Sequence, residues 1–172
     1  YAVNSTREQT HVFYQHATMG MGKTRLHNEL CWGNVKINCG TDVSVKFVRF
    51  TYGEDTRHDN DGTSLTFIKE LLVYHGLERV EGDKVQTVEQ GFEIFINKLE
   101  ASSAFENMQT KVLCVCVDEL HQSNSEVEKQ ASLIKGLMQY QDTTLCKDGV
   151  RVLFLFTSLT KHMFAVMTTD SG

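Results

Sequence analysis

One stretch near the start of the chain has the residue types and spacing of a phosphate-binding loop. Residues 17–24 read ATMGMGKT, which ends in the Gly-Lys-Thr of such loops but begins with alanine where glycine is usual. Gly20 and Gly22 allow the backbone angles and close approach with which N–H groups wrap phosphate oxygens. Lys23 can reach the outer phosphates, and Thr24 can offer its hydroxyl to Mg²⁺. The predicted nucleotide contacts are Ala17, Thr18, Met19, Gly20, Met21, Gly22, Lys23, Thr24 and Arg25.

Two acidic residues follow the most apolar run of the chain. Residues 112–117 read VLCVCV and lead directly into Asp118 and Glu119. An acid at the carboxyl end of a strand beside a phosphate loop can hold Mg²⁺ or its water shell. An adjacent acid can orient and deprotonate the attacking water. We therefore predict that Asp118 binds the metal together with Thr24, and that Glu119 is the general base.

Two hydroxyl residues end the last apolar run. Residues 150–156 read VRVLFLF and are followed by Thr157 and Ser158. In a parallel sheet a polar residue at this position can touch the γ-phosphate or the attacking water. A strand end that simply carries hydroxyl residues explains the pattern equally well. Two roles are open for Arg25 as well: it can contact the nucleotide or balance charge on the surface.

The remaining sequence predicts the elements that must position these residues. Apolar residues alternate or run unbroken where strands are predicted, and hydroxyl residues stand where helices would begin. Strands are predicted at 11–16, 43–52, 112–117 and 150–156. Helices are predicted directly after the phosphate loop, from Thr63 or Ser64, from Thr87, and from Ser125. Leu26 and Leu30 fall on one face of the first helix, apolar stripes mark the second and third, and Thr87 with Gln90 forms a capping box. This alternation predicts a three-layer α/β fold with a mostly parallel sheet, and the phosphate-binding loop makes the P-loop NTPase fold the expected type.

Composition narrows the class of protein further. Apolar residues make up 41% of the 172 residues and charged residues 23%, which are ordinary globular values. The net charge is −5 and basic residues are scattered, which argues against electrostatic binding of nucleic acid by this segment alone. No apolar stretch approaches the roughly 20 residues of a membrane span. Five cysteines without disulfide spacing are typical of reduced thiols, so we expect an intracellular protein.

The ends of the sequence affect its domain assignment. No internal repeat or domain boundary is visible, so residues 1–172 are predicted to form a single P-loop ATPase domain. The chain begins at Tyr1 and not at methionine, so we expect a fragment of a longer protein. No helical lid or second sensor arginine can be placed before Gly172.

Four segments together resemble a known group of proteins. The strings ATMGMGKTRL, KFVRFTYG, VLCVCVDEL and LFLFTSLT are similar to the P-loop ATPase module of crinkler effectors and trypanosomatid retrotransposon hot spot proteins. These belong to the wider AAA+/STAND-like ATPases. The resemblance implies that the first strand lies beside the fourth, followed by the third and the second. It also implies ATP and Mg²⁺ as cofactors and a nuclear or host-directed role.

The same resemblance implies a role for each site residue. Those roles are Lys23 on the phosphates, Thr24 and Asp118 on the metal, Glu119 as base, and Ser158 or Thr157 as sensor of the γ-phosphate.

Three functions fit these motifs. The first is Mg²⁺-dependent ATP hydrolysis that drives a conformational switch, with protein partners or further copies of the chain supplying an arginine. The second is a DExH-type helicase core, because Asp118-Glu119-Leu120-His121 matches D-E-x-H. The third is an ATP-gated interaction module with little turnover. Glu119 favours hydrolysis over binding alone, since a protein that only binds nucleotide has no use for a base.

Overall fold

The elements follow one another in the order that the sequence predicts. The structure, a computed structural model, describes residues 13–16, 22–32, 43–53, 61–77, 84–102, 110–143 and 149–158. Its strands are β1 (Phe13–His16), β2 (Val43–Thr51), β3 (Thr110–Asp118) and β4 (Val150–Ser158). Its helices are α1 (Lys23–Trp32), α2 (Ser64–Tyr74), α3 (Val88–Ala101) and α4 (Val127–Thr143). A short 3₁₀ turn, Leu120–Gln122, lies between β3 and α4.

The described strands form one parallel sheet. Their order is β1-β4-β3-β2, which is the order implied by the resemblance. Thr51 is in register with Asp118, Val117 with Phe156, and Ser158 with His16. All the strands therefore end at the same edge of the sheet, and the acidic pair lies at that edge.

Helices cover both faces of this sheet. Successive side chains of a strand point to opposite faces, and β2 shows both environments. The ring of Phe50 packs edge-on against Phe67 of α2 with the ring centroids 5.2 Å apart. The guanidinium of the preceding residue, Arg49, instead bonds to Asn28 of α1. The molecule thus has the three-layer α/β architecture of P-loop NTPases.

The apolar stripes predicted for α2 and α3 face the core. Each stripe packs against the face of the sheet opposite α1, where the aromatic rings of α2, α3 and β4 meet. The fully or almost fully buried residues of the two stripes are Phe67, Ile68, Leu71, Leu72, Phe92, Phe95 and Ile96. The predicted cap of α2 is confirmed, since the Thr63 hydroxyl accepts a hydrogen bond from the Thr66 N–H.

Two details differ from the sequence prediction. Leu26 was expected on the packed face of α1, but 36% of its surface is exposed and His27 is buried instead. At the start of α3, Thr87 accepts from the Gln90 N–H as in a capping box. The Gln90 side chain, however, accepts from the N–H of Gln86, one residue earlier than the box requires. Within the described helices, none combines the length and apolarity needed to cross a bilayer.

Candidate functional site

Asp118 is the centre of a polar cluster at the carboxyl edge of the sheet. Its carboxylate is fully buried. Oδ1 accepts hydrogen bonds from the Thr157 hydroxyl at 2.5 Å and from the Glu119 N–H at 3.0 Å. Oδ2 accepts from the Thr24 hydroxyl at 2.9 Å. Three separate elements (β4, the turn after β3, and α1) therefore fix the orientation of this carboxylate.

These contacts keep Asp118 ionised in spite of its burial. Removal from water by itself raises the pKa of a carboxylate, because the charged form loses its hydration. The hydroxyls of Thr157 and Thr24 act in the opposite direction, since they stabilise the charged form. The pKa of Asp118 consequently lies below its ordinary value. A negative charge is thus maintained at neutral pH beside the start of α1.

The structure brings together the two residues predicted to bind the metal. Thr24 and Asp118 are 94 positions apart in the sequence, yet their side-chain oxygens are 2.9 Å apart. One is a hydroxyl and the other an ionised carboxylate, and Mg²⁺ prefers oxygen donors of both kinds. The donor set therefore fits a magnesium ion.

The last glycine of the phosphate-loop motif directly precedes α1. Gly22 has a φ of +82°, in the left-handed region that favours glycine. Its carbonyl accepts the first helical hydrogen bond, from the Leu26 N–H at 2.9 Å. The N–H groups of the first turn have no partner within the helix, so they can receive an anion.

Parts of the predicted loop lie outside the described residues. All of residues 17–21 are among these parts. Lys23 is the first residue of α1, but its side chain is not among those described. Arg25 is described and pairs with Glu29 of the same helix, with 2.8 Å between Nε and Oε1 on the exposed side.

Glu119 sits on a sharp turn directly after β3. Its φ of +55° is in the left-handed region, an uncommon conformation for a residue with a side chain. Its carbonyl accepts from the Gln122 N–H at 2.8 Å, so its backbone is fixed on both sides. Its carboxylate oxygen Oε2 lies 3.1 Å from His121 Nε2. The residue predicted to be the base is therefore next to Asp118, the acid predicted to bind the metal, and its carboxylate contacts His121.

The two hydroxyl residues at the end of β4 occupy different positions. Thr157 donates to Asp118 and so belongs to the site. Ser158 is the next residue of the same strand, so its side chain points to the opposite face of the sheet. Both are fully buried. The Thr157 hydroxyl is the one that contacts the Asp118 carboxylate.

Two residues that the sequence interpretation missed lie behind Asp118. Arg49 donates from Nη1 to Asn28 Oδ1 at 3.0 Å, and its Nη2 lies 3.8 Å from Asp118 Oδ2. His27 is fully buried, and neither of its ring nitrogens has a hydrogen-bond partner among the described residues. Burial lowers the pKa of His27, and the charge of Arg49 acts in the same direction while that of Asp118 opposes it.

One signal in the sequence points to this buried face of α1. Thr24, His27, Asn28 and Cys31 are spaced as i, i+3, i+4 and i+7, the spacing of one helix face. Each of them contacts the sheet or is buried against it. The stripe is polar, however, so a search for hydrophobic periodicity passes over it.

Comparison with known proteins gives the fold. No protein-family model and no curated protein matches this sequence. The structure is similar to that of the Aeropyrum pernix ORC2 protein in its ADP form, with a TM-score of 0.55 and 15% identity. That likeness covers 93% of this chain and 37% of the ORC2 chain, so this sequence spans little more than a third of it. The ADPNP–ADP complexes of the same protein give a TM-score of 0.49 and 13% identity, with the same coverage.

Proposed function

We propose that residues 1–172 form a single P-loop domain that binds ATP and hydrolyses it with Mg²⁺, and that hydrolysis drives a conformational switch. The observation that carries this proposal is the hydrogen bond of 2.9 Å between Thr24 and Asp118. It joins the residue after the phosphate-loop lysine to an ionised acid on a neighbouring strand, which is the pairing that a nucleotide-bound magnesium ion needs. The similar ORC2 structure is an ADP form, and we extend that class of ligand to this chain.

The polyphosphate would bind at the start of α1. In this proposal the backbone N–H groups of residues 17–22 and the first turn of α1 surround the phosphates. Lys23 adds a positive charge at the outer phosphates. Arg25 is close in sequence, although its pairing with Glu29 gives it an alternative role on the surface.

The metal would be held by Thr24 and Asp118. When bound there, Mg²⁺ would supply positive charge to offset the negative charge that develops on the phosphates. Asp118 is suited to this role because hydrogen bonds from Thr157 and from the Glu119 N–H keep its carboxylate charged and oriented. These contacts are formed in the folded chain, so little reorganisation is needed on binding.

Glu119 would act as the general base. The bond formed in hydrolysis joins the water oxygen to the γ-phosphorus, and the bond broken joins that phosphorus to the bridging oxygen of the departing ADP. The water proton is transferred to the Glu119 carboxylate. Ser158 or Thr157 would be the sensor of the γ-phosphate. The hydrogen bond from Thr157 to Asp118 favours Thr157, because it connects the end of β4 to the proposed metal ligand.

The narrower assignments are also proposals. Within the AAA+/STAND-like ATPases, the crinkler or retrotransposon hot spot type rests on the motif strings alone. So does a role for protein partners or further copies of the chain. A DExH-type helicase is the second candidate function, and hydrolysis stimulated by added DNA or RNA would support it.

Two substitutions test the proposal with one set of measurements. Lys23→Ala is expected to abolish binding of labelled ATP, because it removes the charge that meets the outer phosphates. Glu119→Gln is expected to bind ATP as the wild type does and to lose hydrolysis by about 100-fold or more. Lys129→Ala and Glu126→Gln are matched controls, since these residues pair with each other on the surface near the start of α4. Unchanged ATP binding by Lys23→Ala would refute the phosphate-loop assignment.

A further inference from the structure

His121 lies on the 3₁₀ turn after the acidic pair, and its ring reaches back to Glu119. The distance from His121 Nε2 to Glu119 Oε2 is 3.1 Å. An ionised carboxylate only accepts hydrogen bonds, so Nε2 must carry the hydrogen in this contact. The amide of Gln122 approaches the same oxygen at the longer distance of 3.4 Å. The imidazole is therefore the closer of the two groups that hold this end of Glu119.

The turn that carries both side chains is fixed by its backbone. The Glu119 N–H donates to Asp118, and the Glu119 carbonyl accepts from Gln122. Leu120, the residue between Glu119 and His121, is fully buried and anchors the turn to the core. The backbone angles of Glu119 are thus set, and only its side-chain torsions are left to vary. The contact with His121 restricts those torsions.

We propose that His121 is a positioning residue for the base. It holds the Glu119 carboxylate in the direction from which the proton of the attacking water is taken. This inference rests on the proposed ATP hydrolysis and adds a residue to it. A base that is oriented by a third group recurs in enzymes because misplacement of a reacting group by about 1 Å can slow a reaction on the order of 100-fold.

The placement of His121 favours this role over a purely structural one. Its side chain is 22% exposed and that of Glu119 is 23% exposed, so their contact lies at the rim of the site and not in the core. Truncation of the ring therefore leaves no closed cavity behind. Leu120 and the hydrogen bond of 3.0 Å from the Ser123 N–H to the Leu120 carbonyl remain to maintain the turn. The fold is expected to survive the substitution.

Steady-state ATP hydrolysis by the whole chain tests the inference. His121→Ala is expected to lower kcat about tenfold, because the base is no longer restrained, and to leave KM for Mg·ATP unchanged. His121→Gln places an N–H donor near the position of Nε2 and is expected to restore most of kcat. In a Glu119→Gln background, His121→Ala is expected to cause no further loss, since the proposed role of the imidazole depends on that carboxylate.

Three outcomes would overturn the inference. Hydrolysis by His121→Ala at the wild-type rate would remove the positioning role and leave the proposed function intact. The same loss in the wild-type and Glu119→Gln backgrounds would mean that His121 acts independently of Glu119. Absence of ATP hydrolysis by the wild-type chain would refute the positioning role together with the proposed function. Circular dichroism of each variant confirms that the rates are compared between folded proteins.

Discussion

Thr157→Val is the substitution that most sharply tests how Asp118 is kept ionised. Valine has nearly the shape of threonine and suits a strand, so the change removes a hydroxyl with little effect on packing. That hydroxyl donates to Asp118 Oδ1 at 2.5 Å within a fully buried environment. The variant leaves a buried carboxylate with one donor fewer.

The size of the effect follows from that contact. A hydrogen bond to a charged group contributes about 1.5–3 kcal/mol to stability. The same loss raises the pKa of Asp118 in the folded chain, because the charged form loses a hydrogen-bond donor. We therefore expect the free energy of unfolding of Thr157→Val at neutral pH to fall by about 1.5–3 kcal/mol.

The loss depends on pH with a definite sign. The pKa of Asp118 is lowered in the folded chain, so its contribution to stability is present above the unfolded-state pKa and disappears as the pH falls. The difference between wild type and Thr157→Val should accordingly be largest near neutral pH and shrink as the pH falls through about 4. Urea denaturation at a series of pH values, with a chelator present, measures both curves.

Thr51→Val is the matched control. Thr51 flanks Asp118 from β2, and its hydroxyl is buried without a hydrogen-bond partner among the described residues. Removing an unsatisfied hydroxyl is expected to be neutral or slightly stabilising at every pH. If both variants lost the same stability, or if the loss in Thr157→Val were independent of pH, the hydrogen bond would not be what keeps Asp118 charged.

Two further predictions concern the packing and the pH dependence of the fold. Gly91→Ala is expected to lower the free energy of unfolding by about 1–3 kcal/mol, because the new methyl would lie 2.4 Å from Ile68. Gly136→Ala is its control and should cost less, since it meets only the movable hydroxyl of Ser64. Burial lowers the pKa of His75. The unfolded chain therefore takes up a proton more readily than the folded chain, and the free energy of unfolding should fall as the pH drops below about 6.5. The fall should be smaller in His75→Gln. Urea denaturation between about pH 5 and 8 measures both proteins.

The elements of the fold could be predicted because their signals are local. The apolar run 112–117 is long enough to identify a strand buried on both faces, and the Thr63 hydroxyl marks the start of a helix. The order of the sheet came from the resemblance of the motif strings. Local patterns do not determine which strands become neighbours, since that depends on contacts between residues far apart in the sequence.

The site could be predicted in part for a related reason. Residue types and spacing identified Thr24 and Asp118, and the structure brings them into contact. Arg49 gave no signal, because a single arginine in a strand reveals neither its face nor its partner. The contact between His121 and Glu119 depends on the left-handed backbone of Glu119. The sequence does not predict that conformation, because the residue is not a glycine or an asparagine. Such contacts become visible only when the backbone is known.

The binding of ATP as a function of Mg²⁺ concentration tests most directly whether Thr24 and Asp118 form the metal site of a nucleotide. Calorimetry of the wild-type chain and of Asp118→Asn, each first checked for folding, provides the comparison. We predict that Mg²⁺ strengthens ATP binding to the wild type and that Asp118→Asn loses this enhancement, because a neutral amide is a weaker ligand than a carboxylate. An equal enhancement in both proteins, or binding of ATP by neither, would contradict the assignment.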